Sequence, residues 1–257
     1  MSRLHVHAWG PAGGRPLLVL HGVTNTGARY RRLAEEQLPG MRVIAPDLRG
    51  HGSSTWDPPW SVARHVADVA ETLAEAGLGP VAAAGHSFGG LIGTSLAAAR
   101  PDLVERLALI DPAVALAPSR AAEEAEASRR DEGWASVAEA RDARRAIRPE
   151  HARDTVDEDL ATHLEEGGDG RWRFRFSRPA AVTAWGEMAG PVPSLAGYPG
   201  RVLLIVAGRA DIVTDALRAG LRADLADRLR EETIDAGHML FWDAPGELGG
   251  VLRGFLA

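Results

Sequence analysis

The sequence predicts an α/β fold: a mostly parallel sheet of about seven strands, helices on both faces, and a mainly helical insertion. Three observations carry this reading. Short continuous apolar runs recur, as expected of strands buried on both faces of a parallel sheet. Between them lie segments with apolar residues at helical spacing. One long stretch, 113–195, breaks that alternation.

Leu4 to Trp9 reads as a short first strand, followed by turn residues Gly10-Pro11-Ala12-Gly13-Gly14. Leu17–Leu20 and Val43–Ala45 are apolar strands. Ser61 is placed to cap a helix whose Val62, Val66, Val69 and Leu73 share one face, ending before Gly77. Val81–Ala84 is the next strand, and Leu91–Ala99 a helix that must stop near Pro101. Leu107–Ile110, Val202–Val206 and Glu231–Ile234 repeat the strand pattern, and Leu248–Leu256 closes the chain as a helix. Residues 1–112 and 196–257 therefore form the core and 113–195 a cap. The cap opens with charged, alanine-rich sequence. It contains Gly167-Gly168-Asp169-Gly170 and one alternating segment, Trp172-Arg173-Phe174-Arg175-Phe176. Alternation puts the three aromatic rings on one side, sealing the cap, with Arg171, Arg173 and Arg175 facing solvent or a carboxylate.

Composition excludes several classes. The chain has 257 residues, enough for one sizeable domain with an insertion. A net charge of −6 without a basic block argues against nucleic acid as partner. With no cysteine, disulfides and thiol catalysis are excluded. No apolar stretch approaches the ~18 residues of a membrane span, and Met1 to His7 lacks the apolar core of a signal peptide. The expectation is a cytoplasmic protein acting on a small molecule, away from membranes.

The chemistry centres on Gly85-His86-Ser87-Phe88-Gly89. This is G-x-S-x-G between an apolar strand and a helix, the context of a nucleophile elbow. A serine hydroxyl needs a base to attack at neutral pH. His238 follows the last strand, and Asp211 follows the strand Val202–Val206. Both thus lie beyond carboxyl ends of strands, where open parallel sheets place their sites. The reading takes Ser87 as nucleophile, His238 as base and Asp211 as the acid that orients it. Asp111, which also ends a strand, is the main rival for the acid; Asp215 and Asp235 are weaker ones. His5, His7, His65, His151 and His163 are read as structural or solvated. A tetrahedral oxyanion needs two preorganised donors, expected from the backbone N–H groups of Phe88 and Val23. His21 and the segment Asp47 to Ser54 read as structural, pinned by buried polar contacts of Asp47, Arg49 and His51.

Taken together, Leu20-His21-Gly22, Asp47-Leu48-Arg49-Gly50-His51-Gly52-Ser53, Gly85–Gly90, Gly208–Asp211 and Ala236-Gly237-His238 resemble the signature blocks of the α/β-hydrolase superfamily. The resemblance spans the chain except for the cap. It implies the Ser-Asp-His order, a cap over the site and no cofactor. A serine nucleophile points away from epoxide and haloalkane hydrolysis. Met239 stands where carbon–carbon bond hydrolases usually carry tryptophan, which favours hydrolysis of an ester, lactone or thioester over a β-diketone-like substrate. A non-catalytic receptor on the same fold is the remaining alternative. No His, Asp and Glu cluster has metal-ligand spacing, so neither metal nor cofactor is expected. Trp134, Trp185 and Met239 are the candidate pocket residues, for a substrate expected to be apolar.

Overall fold

The computed structural model describes residues 4–130, 132–147 and 153–257. Its seven-stranded sheet has the order β1 (Val6–Trp9), β3 (Met41–Pro46), β2 (Arg15–Leu20), β4 (Val81–His86), β5 (Val104–Ile110), β8 (Arg201–Ala207) and β9 (Leu229–Ile234). Only β1 runs antiparallel to its neighbour; every other pairing is parallel. Among the described residues a single strand precedes β2.

Buried strands must bury both faces, and the alternation shows how. Leu18 and Leu20 of β2, Leu107 and Leu109 of β5, and Val202 and Leu204 of β8 pack on one side. That side is covered by α1 (Val62–Glu75), α2 (Phe88–Ala99), α6 (Arg178–Met188) and α7 (Asp215–Leu225). Leu17, Val19, Ala108, Ile110, Leu203 and Ile205 point to the other, against α8 (Leu240–Asp243), α9 (Pro245–Leu256) and two short helical turns at Gly27–Tyr30 and Leu33–Gln37. Truncating one of these buried leucines to alanine would cost about 2–5 kcal/mol.

Helix ends follow local chemistry. Ser61 Oγ accepts from Arg64 N at the start of α1 and Thr214 caps α7. The helix expected from Leu91 begins earlier, at Phe88, directly after Ser87.

Between β5 and β8 run α3 (Pro118–Arg129), α4 (Val137–Ile147), α5 (Arg153–His163), a hairpin of β6 (Leu164–Glu166) with β7 (Trp172–Phe174), and α6. The one extended segment expected from sequence is thus half of a hairpin. Trp172 and Phe174 do not seal onto the main core. They join Trp134, Val156 and Leu160 in a separate small cluster, while Phe176 packs against the main core. Arg173 pairs with Asp169 at 2.6 Å and Arg175 with Glu165 at 3.1 Å, the carboxylate partners anticipated for that face.

Candidate active site

Ser87 sits between β4 and α2 with φ 55° and ψ −118°, a strained conformation for a non-glycine residue. The turn is tight enough that a Cβ on Gly85 would lie 2.3 Å from Gly89 O, and one on Gly89 2.2 Å from Leu20 O. Only glycine fits at either position. The backbone is locked by Ser87 N donating to Ile110 O (3.2 Å) and Ser87 O accepting from Gly90 N and Ala113 N.

Val23 lines the pocket that Ser87 opens into, and Phe88 follows Ser87 directly in the chain. Phe88 is the first residue of α2, so its N–H has no partner within the helix. Among the described residues the Val23 N–H also donates no hydrogen bond. Gly22 abuts Ser87: a Cβ there would lie 3.1 Å from Ser87 Cβ and 3.2 Å from His86 Nδ1. Thr24 holds φ 59°, so Thr24, Ser87 and Asp111 are three of the five non-glycine residues with left-handed φ among the described residues. Such conformations cost of order 1–3 kcal/mol each and concentrate at functional sites.

The loop carrying Val23 is braced by two buried histidines. Leu48 N donates to His21 Nε2 (2.8 Å), which leaves His21 Nδ1–H to donate to Gly22 O (2.8 Å). Thr24 N donates to His51 Nε2 (3.2 Å), and His51 Nδ1–H donates to Arg49 O (3.1 Å). Each ring must accept at one nitrogen, so each is neutral. Burial, together with the proximity of His51, lowers the His21 imidazole to about 3; burial lowers His51 to about 4. Arg49 closes a bidentate pair on Asp68 of α1 (2.7 and 2.9 Å). Asp47 accepts from Gly27 N and Ser53 N and bonds His7. Burial alone would raise the Asp47 carboxyl, but the His7 and Ser53 hydrogen bonds outweigh it and hold it near 2. The structural reading of His21 and of this loop therefore holds.

His238 does not meet Asp211. Its Nδ1 lies 2.6 Å from Asp111 Oδ2. Asp111 is fully buried; its Oδ1 accepts from Ala207 N at 3.1 Å and its own N–H donates to Ile205 O. Asp211 is exposed, four residues beyond β8, with its carbonyl bonded by Arg120. The expectation of Asp211 as the partner of His238 is therefore corrected to Asp111. The left-handed backbone at Asp111 (φ 42°) turns the carboxylate off the end of β5, across β8, toward the loop after β9. The turn Gly208–Ala210 instead carries Asp211 to the surface. Asp235 is also exposed and faces Arg209 at 3.7 Å.

One contributor escaped the sequence reading. His86, wholly buried beside Ser87, places Nε2 2.8 Å from His238 O and so anchors the loop that carries His238. Its ring stands 4.5 Å from that of His238. Its position inside G-x-S-x-G, before the serine, was the available signal.

Ser87 and His238 open into one pocket of about 480 Å³. Gly22, Val23, Trp185 and Met239 line it, as does Ile147 at the end of α4. Trp134 does not: it pairs with Trp172 and packs edge-on against Phe174 within the cap. Nor is the lining apolar as expected, because Arg29, Arg120, Arg144, Arg209, Glu124 and Asp211 all contribute. His65 and His163 are buried away from this lining, and His151 lies outside the described residues. His5, His7 and Asp47 bring potential metal ligands within 4.8 Å of one another at the edge strand, a cluster hidden in sequence by the distance from Asp47 to the histidines.

Residues 17–249 match the alpha/beta hydrolase family. The chain belongs to that family. It is 40% identical to lipase LipV of Mycobacterium tuberculosis over 97% of this chain and 96% of the relative. Among solved structures it resembles E-2-(acetamidomethylene)succinate hydrolase (TM-score 0.82, 22% identity, 99% and 98% of the two chains). It also resembles an esterase from a marine microorganism (TM-score 0.79, 21% identity, the whole of both chains). At that identity the likenesses speak for the fold. As a member of this family the chain is an enzyme, a hydrolase. Among the described residues no helix is long and apolar enough to cross a membrane.

Proposed function

We propose that this hydrolase cleaves a carboxylic ester, lactone or thioester of a small organic molecule, in the cytoplasm, through an acyl-enzyme on Ser87. The observation that carries the reading is the 2.6 Å contact of His238 Nδ1 with buried Asp111, in a loop that shares its pocket with an elbow serine. Because a carboxylate only accepts, the proton sits on Nδ1 and Nε2 is the basic nitrogen.

Ser87 Oγ attacks the substrate carbonyl carbon while His238 Nε2 takes its proton. The carbonyl oxygen becomes an oxyanion held by the N–H groups of Val23 and Phe88, and the dipole of α2 favours charge at the same spot. Collapse breaks the bond to the leaving group, which takes the proton from His238. Water then repeats the sequence on the acyl-enzyme, releasing the acid and freeing Ser87. Asp111 stabilises the imidazolium formed in each half and fixes its ring orientation. No cofactor enters these steps. The name of the relative at 40% identity, a lipase, supports the ester over other acyl compounds.

The test is direct. A fluorophosphonate should label the protein once, at Ser87, and p-nitrophenyl butyrate should be hydrolysed. Ser87→Ala should abolish labelling and lower kcat by about 10⁴ or more with melting temperature unchanged. A Ser87→Ala protein that kept a tenth of the activity would remove Ser87 from the role.

A further inference from the structure

The charge on the pocket wall runs against that of the whole protein. The chain carries a net charge of −6, yet four arginines and two carboxylates line the cavity over Ser87. The four arginines are not equivalent. Arg29 is spent inside the fold: its Nη2 bonds Asp159 Oδ2 at 2.9 Å, both side chains are buried, and it lies 5.1 Å over the Trp242 ring. Arg144 is held 4.0 Å from the same Asp159 and 5.5 Å over Phe174. Arg120 and Arg209 are differently placed.

Arg120 projects from α3 of the cap and donates to the carbonyl of Asp211 on the core side, so its guanidinium bridges the seam between cap and core. Among the described residues it makes no ion pair; that carbonyl is its partner, and four N–H donors are left over. Glu124, one turn along α3, lines the same cavity without bonding it. Arg209 approaches from the loop after β8. The ion pair it makes among the described residues is with Asp235 at 3.7 Å, and both side chains are more than half exposed, so solvent and salt weaken that pair. A guanidinium with open donors on a pocket wall is suited to a planar, bidentate acceptor.

We propose that Arg120 and Arg209 form an anion subsite, so that the enzyme takes esters carrying a carboxylate beside the scissile bond. The inference rests on Ser87 being the nucleophile of an ester hydrolase. Arg120 comes from the cap and Arg209 from the core, so a bound carboxylate also clamps the cap over the reacting carbonyl.

The test compares matched pairs differing only in that charge. Methyl p-nitrophenyl adipate and p-nitrophenyl hydrogen adipate put it on the acyl side. Methyl para-butyryloxybenzoate and the free acid put it on the leaving side. The wild-type protein should favour the anionic member of at least one pair by about tenfold or more in kcat/KM, and which pair responds tells which side of the bond the arginines hold. The preference should shrink as salt is raised. Arg120→Gln should reduce the ratio by about tenfold while Arg120→Lys keeps most of it; a merely structural arginine would change both members of a pair alike and leave the ratio fixed. Equal rates within both pairs, with Ser87 labelled by fluorophosphonate, would overturn the subsite and leave the hydrolase reading standing. Absent labelling and hydrolysis would instead remove the hydrolase reading. The subsite then stands or falls on calorimetric titration with adipate: saturable binding lost in Arg120→Gln upholds it, and no binding overturns it.

Discussion

Two aspartates compete for one role, and replacing each by asparagine separates them. Asparagine is the informative substitution at Asp111 because it tolerates the left-handed φ of 42°, where alanine would add backbone strain. In Asp111→Asn the oxygen can still accept from Ala207 N, now 3.1 Å from Oδ1, which leaves the amide NH₂ aimed at His238 Nδ1. An N–H donor there forces Nδ1 to accept, and the imidazole proton moves to Nε2. That nitrogen is the one that must take the proton of Ser87, so the base is blocked without any displacement of the ring. Loss of the correct tautomer costs about 10⁴ in kcat, roughly 5 kcal/mol of transition-state stabilisation. Asp211→Asn changes an exposed side chain and should leave kcat within about threefold. Steady-state kinetics on p-nitrophenyl butyrate and the rate of fluorophosphonate labelling both read the effect; a melting curve guards against misfolding. If Asp211→Asn lost three decades of kcat while Asp111→Asn stayed within tenfold, the Asp111–His238 pair would not be the catalytic one.

Other consequences follow from the same geometry. Gly22→Ala would press a methyl to 3.1 Å from Ser87 Cβ and shift the Val23 donor, so kcat should fall about 10²-fold at nearly constant KM, against no change if the loop is remote from the chemistry. Trp134→Ala should lower the melting temperature and leave the acyl-chain profile unchanged, because its ring belongs to the cap cluster. Trp185→Ala should alter kcat/KM for bulky esters by about 1–3 kcal/mol with less effect on acetates, since its ring lines the pocket; the reverse pattern in the two variants would exchange their roles. Burial lowers His21 and His65 to about 3 and His51 to about 4. These rings stay neutral in the fold but protonate in the unfolded chain below ~6.5. Their contribution is therefore complete above that pH and is lost as pH falls toward 4, by up to ~1.4 kcal/mol per pH unit per histidine. Urea midpoints measured from pH 7 to 4.5 should fall steeply, and a flat profile would mean that these rings are protonated in the folded protein.

The sheet was legible because its signal is local. Runs such as Leu17–Leu20 and Val202–Val206 have no polar residue to place on a solvent face, and each lies within a strand found in the structure. The elbow was legible because its residue pattern is contiguous, with Gly85 packed against the backbone of Gly89; the close approach of Gly89 to Leu20 O, from β2, was not. The insertion between β5 and β8 was legible only in outline. The stacking of Trp172 and Phe174 on α4 and α5 depends on how the hairpin folds back, and alternation fixes only that the rings share a side.

The acid shows what such rules lack. Chain order and strand-end position admit Asp111 and Asp211 equally, since either gives Ser…Asp…His. What separates them is the direction of a carboxylate, set by one backbone dihedral. Asp111 immediately follows β5, which lies between β4, the strand leading into Ser87, and β8. A left-handed φ there sends the side chain across β8, where one oxygen accepts from Ala207 N and the other reaches His238. The sequence did hold a trace of this. Asp111 precedes Pro112, and a residue before proline is disfavoured from the right-handed helical region. Aspartate is also among the few residues that enter the left-handed region readily. Asp211 follows a glycine turn in which Ala210 N bonds Ala207 O, and that turn spends the residues that would be needed to bring its carboxylate back over the sheet. The fold admits Asp111 because β5 and β8 end side by side.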